Sequence, residues 1–195
     1  MKDLRKIKFG ITHNGKFHLD DVMSTAFIKY FNPNLEVIRT LEYQEAPKED
    51  EIIYDIGFGE LNHHQEIRKL DDNGHPYCAF GLLWETYGKE YLKEFGFKNI
   101  DEAFALFKKK YVYKIYEGDN EGYKNLRNFS ENNMVISCNP LWFENSESEI
   151  ENKQFDKAVK IGIMFLENWT RKIFKEIEDH IFFCLIFINY LNHSC

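Results

Sequence analysis

The order of segments between Ile7 and Tyr54 constrains this 195-residue chain more than any other feature. Ile7-Lys8-Phe9-Gly10-Ile11 alternates apolar and polar residues and predicts a strand that ends at Thr12-His13-Asn14-Gly15. Asp20 or Asp21 can cap a helix whose face carries Val22, Met23, Ala26, Phe27 and Tyr30, and Asn32-Pro33-Asn34 stops it. Leu35 to Thr40 predicts a second strand. Ile52-Ile53-Tyr54 predicts a third, closing at Asp55-Ile56-Gly57. Further helices are predicted over 79–92, 101–113 and from 155 to at least 174. Strand, helix, strand and strand at this spacing imply an α/β fold, a mostly parallel open sheet with flanking helices. Ligands of such sheets bind beyond the carboxyl ends of the strands, where His13 and Asp55 fall.

Composition narrows the function classes. The 44 % apolar and 29 % charged content suits a folded domain, and 18 Phe with 11 Tyr predict a thick aromatic core. With 25 Lys+Arg against 32 Asp+Glu the net charge is −7, so a generic cationic coat for nucleic acid is excluded. An acidic protein still binds phosphate where metal ions invert the local sign. The four cysteines, Cys78, Cys138, Cys184 and Cys195, form no CxxC pair and no disulfide framework. Met1-Lys2-Asp3-Leu4-Arg5-Lys6 has no apolar run behind it, so no secretory leader is expected and the cytoplasm is the expected compartment. Ile181 to Leu191 is almost wholly apolar, but as a helix it reaches only roughly 16 Å, half a bilayer core. It is expected as a buried helix end or a self-associating tail, with no membrane span.

Four short clusters hold the candidate ligands: 12–21 (THNGKFHLDD), 54–57 (YDIG), 61–65 (LNHHQ) and 118–120 (GDN). Mixed imidazole and carboxylate donors suit Mn²⁺, Fe²⁺ or Zn²⁺, whereas an all-oxygen set favours Mg²⁺ or Ca²⁺. Each cluster has a plainer reading. An Asp pair caps helices, His63-His64 suits a solvated turn, Asp-x-Gly ends many strands, and Asp119 fits turn chemistry. Their joint occurrence at predicted strand ends favours a metal site.

The stretch ITHNGKFHLDDVMSTAFIKYFNP, followed by EVIRT, IIYDIGFGELNHHQ and PYCAFGLLWETYG, resembles the MYG family (melanocyte proliferating gene type), metal-dependent hydrolases related to the DHH phosphoesterases. The resemblance implies a DHH-like metal-binding domain over 1–166 and a divergent, helical, apolar tail over 167–195, with the family's C-terminal half missing. It implies two ions, expected as Mn²⁺ with Zn²⁺ or Mg²⁺ as the other choices. His13, His18 and Asp55 would hold one; Asp20, Asp55, His63 and Asp119 would hold the second, with Asp55 bridging. His64 would face substrate phosphate or orient the nucleophile, and Asn62, in place of the motif Asp, would orient a histidine from behind. Asp21 is left as the helix cap. Tyr116 stands where the family usually has another Asp.

The implied activity is hydrolysis of a phosphoester, exonuclease-like, on a substrate such as short RNA or a nucleotide. No nucleophile elbow, P-loop or dinucleotide-binding glycine pattern competes with it. Lys108-Lys109-Lys110 and Lys114 are expected on a solvated helix face. A second reading, a metal-binding remnant without turnover, is favoured by Asn62, Tyr116 and the short C-terminal part. A third is an interaction protein that docks through the Phe-rich tail.

Overall fold

The computed structural model describes residues 2–43, 45–57, 61, 70–71, 74–121, 130–141 and 148–192, and side chains at all of these except 120–121, 148 and 180–192. The alternating first segment forms strand β1 (Phe9–His13), two residues later than its periodicity indicates, so His13 belongs to the strand end rather than the turn. Helix α1 (Leu19–Phe31) follows, then β2 (Glu36–Thr40) and β3 (Glu51–Ile53). The sheet runs β2-β1-β3 with both pairings parallel, from Phe9↔Glu36 to His13↔Thr40 on one side and from Phe9↔Glu51 to Ile11↔Ile53 on the other. The expected α/β class with a parallel sheet is observed. The chain crosses β1 to reach β3, so the carboxyl end of the central strand lies at the switch point where α/β sheets form crevices.

The N-cap of α1 is His18, two residues before the first of the expected Asp pair. The His18 backbone N–H donates to Asp21 Oδ1 at 2.8 Å, the returning arm of a capping box. Asn32 ends the helix with its N–H on Ile28 O at 3.0 Å, and its side-chain amide reaches Ile7 O at 2.6 Å. Helix α1 is buried on almost every face because it is enclosed by the sheet, α2 (Ala79–Phe95), α5 (Ser130–Ile136) and α6 (Ser148–Asn192). Gly162 allows the close crossing of α6: a Cβ there would lie 3.1 Å from Val22 Cγ1.

Between them run α3 (Ile100–Phe107), a π-helical turn (Lys108–Val112) and α4 (Tyr113–Glu121). The π turn redirects Lys108 away from the solvated face expected for it. Its side chain is only 14 % exposed, paired with Glu85 and 3.6 Å from Asp71, beside the Tyr77 and Tyr113 rings. The core is aromatic, as the composition indicates. Phe27 meets Phe80, Trp84 and Tyr91; Trp84 stacks on Phe107 at 4.0 Å, and Trp169 on Tyr111 at 4.6 Å. Helix α6 is continuous through the expected boundary at 166, and Trp169, Ile173 and Ile177 join the same core. Among the described residues no helix is long and apolar enough to cross a membrane.

Candidate metal centre

The end of β1, the first turn of α1 and the residue after β3's bridge at Tyr54 meet at one point. There His13, Asp21 and Asp55 each offer a ligand atom, all within 4.8 Å of one another. The His13 ring is oriented from behind. Its Nδ1 lies 2.9 Å from the Asn14 carbonyl, an acceptor, so that nitrogen carries hydrogen. Nε2 then faces two carboxylates, 3.3 Å from Asp21 Oδ2 and 3.3 Å from Asp55 Oδ2. A lone pair cannot rest against two carboxylate oxygens; the position demands a proton or a cation.

The electrostatics state the same demand. Burial on its own would lower the His13 imidazole, but the Asp55 hydrogen bond and the charges of Asp21 and Asp55 bring it up to about 9. Burial pushes Asp21 up to about 7 against the pull of His13, with the Asp55 charge adding to the rise. Asp21 Oδ2 is buried and accepts no hydrogen bond. Two buried carboxylates and one oriented imidazole form the donor set of a mixed N/O divalent site.

Asp55 holds its place at a backbone cost. Its φ of +57° makes it the one non-glycine residue with positive φ among the described residues, a strained conformation that is retained at functional positions. Its N–H donates to Leu61 O at 3.3 Å, and Gly57 follows at φ +71°, where a Cβ would lie 2.5 Å from Tyr43 O. The Asp-Ile-Gly spacing is thereby explained by the turn.

The other predicted residues distribute themselves around this point. His18 is exposed at the start of α1, its ring 5.9 Å from that of His13. Asp20, wholly buried, is turned toward α2: its two carboxylate oxygens accept from Ala79 N and Phe80 N, each at 2.8 Å. It caps α2, whose N-cap residue Cys78 makes no side-chain cap bond of its own. Burial, then the charges of Asp20 and Asp119, push the Cys78 thiol well up. Tyr116 is buried, its ring so close to Gly81 that no side chain fits at position 81. Asn62, His63 and His64 lie outside the described residues.

Three residues escape sequence reasoning. Asp21 reads as a cap, and it is one through Oδ1, but its Oδ2 belongs to the cluster. Its position three residues after His18 is the signal, because a capping-box carboxylate turns back toward the chain entering the helix. Arg39 donates from Nη2 to Gly15 O at 2.7 Å, and Asn139 exchanges two bonds of 2.9 Å with the Phe17 backbone; together they tie down the segment between His13 and His18.

A family model, MYG1_exonuc, described as Uncharacterised protein family (UPF0160), matches residues 10–180. The chain belongs to this family. The MYG1 protein of Dictyostelium discoideum is 28 % identical over 179 residues, 80 % of this chain and 54 % of that protein. The chain thus spans about half the length of the curated relative it matches. No solved structure matches it. Membership agrees with the resemblance read from the four clusters, and the family's name is that of an exonuclease.

Proposed function

We propose that this MYG1-family chain hydrolyses phosphoesters in an exonuclease-like manner, with divalent cations held first by His13, Asp21 and Asp55. The supporting observation is His13 Nε2, directed between two buried carboxylates while Nδ1 is committed to a carbonyl. The imidazole in the set favours Mn²⁺ or Zn²⁺ over Mg²⁺. A second ion would draw on Asp55, Asp20, Asp119 and His63, with His64 toward the substrate and Asn62 behind; Asp20 must then give up part of its hold on α2. Bound metal would lower the pKa of its water and neutralise phosphoryl charge. The chain's own part is orientation: Asn14 fixes the His13 ring, the capping box fixes Asp21, and the strained turn fixes Asp55. The substrate would be a phosphoester such as short RNA or a nucleotide. Free Cys78 and Cys138 suit a reducing, cytoplasmic setting.

A second reading, binding without turnover, draws on Tyr116, which is seated against Gly81 where the resemblance implies an Asp. A single experiment separates the two. Mn²⁺ at 100 times its Kd stabilises the native state by about 2.7 kcal/mol, so the wild-type Tm should rise with Mn²⁺ and fall in EDTA, while Asp55→Ala responds to neither. Turnover of an activated phosphodiester or short RNA alongside the Tm shift supports the hydrolase. A shift without turnover supports the binding protein. An unchanged melt and no bound metal by elemental analysis removes both.

A further inference from the structure

We propose that Arg39 receives an anionic phosphate oxygen of the substrate, in the cavity between β2 and the start of α6. The guanidinium is fixed as few surface arginines are. It lies 4.5 Å from the Phe155 ring centroid and 5.5 Å from that of Phe17, and Nη2 is spent on Gly15 O. Nε and Nη1 are buried and have no hydrogen-bond partner. A buried charged donor without an acceptor is unfavourable, and an anionic ligand can supply the acceptor.

A neighbour repeats the pattern. Thr12 is the direct partner of Arg39 across β1 and β2, so their side chains share one face of the sheet, and the buried Thr12 hydroxyl is also without a partner. Two N–H groups and one O–H in the same region call for an acceptor, and a forked guanidinium matches phosphate geometry. Arg39 also borders a cavity of about 380 Å³, with Lys29, Asn152 and Phe155 around it and Glu36 and Asp156 among its walls. Arg39 is linked to the cluster through Gly15, two residues after His13, which accepts from Nη2 at 2.7 Å, and the charge of Asp21 acts on it.

The inference rests on the phosphoester reading, so metal and anion are scored separately. Wild-type protein labelled with ¹⁵N-arginine is titrated with inorganic phosphate and, in parallel, with acetate. The Arg39 Nε–H signal, assigned by its loss in Arg39→Lys, should move with phosphate and saturate. Calorimetry should show phosphate affinity falling roughly 10-fold or more in Arg39→Gln, with Arg39→Lys between the two because it keeps charge but not the fork. Equal movement with acetate would assign the site to carboxylates and overturn the phosphate claim. A stationary signal, or Arg39→Lys binding phosphate as wild type does, would overturn it as well. Should Arg39→Gln fail to fold, the wild-type titration and Arg39→Lys still decide. Absence of Mn²⁺ binding in the wild type would defeat the hydrolase reading alone, leaving phosphate binding to judge Arg39.

Discussion

Asp21 performs two tasks with one carboxylate. Oδ1 closes the capping box of α1, and Oδ2 faces His13 Nε2 at 3.3 Å. Asp21→Asn keeps the volume and can keep the cap, but loses the charge a cation needs. Its Mn²⁺ affinity should fall by more than the roughly 10–100-fold typical of losing an outer-shell partner, measured by calorimetry. Wild-type affinity in this variant would remove Asp21 from the ligand set. The same pair sets a pH dependence in the metal-free protein. His13 keeps its proton up to about 9 against an ordinary 6.5, so its stabilisation is full below 6.5 and is lost as pH rises through 9. Asp21 keeps its proton up to about 7 against 3.8, so its contribution to stability falls as pH rises from 3.8 and levels off above about 7. The Tm advantage of wild type over a His13→Gln/Asp21→Asn double variant should shrink from pH 5 to pH 9 in EDTA. An advantage that is constant or grows would contradict this electrostatic account. Metal displaces these protons, so Mn²⁺ affinity should rise over that range.

Helix α2 begins on a borrowed cap. Its first N–H groups point into the protein, where water cannot satisfy them, and Asp20 of α1 accepts from two of them across the interface. This bond joins the two helices that flank Cys78 and holds the segment preceding α2, which carries Tyr77 onto Tyr116 at 5.5 Å. Asp20→Ala should therefore cost about 3 kcal/mol in EDTA, where no metal contributes, read as a loss in urea-melt stability. A variant as stable as wild type in EDTA, but defective in Mn²⁺ binding, would return Asp20 to the metal and away from α2.

The molecule is organised around α1 rather than around its small sheet. Three parallel strands of five, five and three residues bury little by themselves. The bulk of the core is aromatic contact among α1, α2, α3 and α6. Trp169 is the joint of that arrangement: it stacks on Tyr111 at 4.6 Å and on Phe165 at 5.8 Å, and meets Phe107 edge-on at 6.3 Å. Its indole ties α6 to the π turn and the end of α3. Trp169→Ala should cost about 3–5 kcal/mol, seen as a lower urea midpoint with Mn²⁺ stoichiometry unchanged wherever the variant remains folded. A cost below about 1 kcal/mol would mean that α6 packs independently of the helices beneath it.

The strands, α1 and the placement of His13 and Asp55 were legible in the sequence because each depends on local signals. Alternation, helical spacing, and stops such as Asn32-Pro33-Asn34 act over a few residues, and the parallel-sheet rule carries strand ends to a crevice. The division of labour between Asp20 and Asp21 was not legible. Adjacent residues on a helix point about 100° apart. Which of them faces β1 depends on the rotation of α1, and what meets the other is an N-terminus 59 residues away in sequence. The burial of Lys108 likewise follows from one π turn, which no pattern in Lys108-Lys109-Lys110 announces. Arg39 reads as an ordinary strand-end cation until Phe155, from the far end of the chain, closes over it. Local periodicity determined which elements form and where they end; only their packing decided which carboxylate faces the imidazole and which cation is left waiting for an anion, because both depend on groups brought together from distant segments.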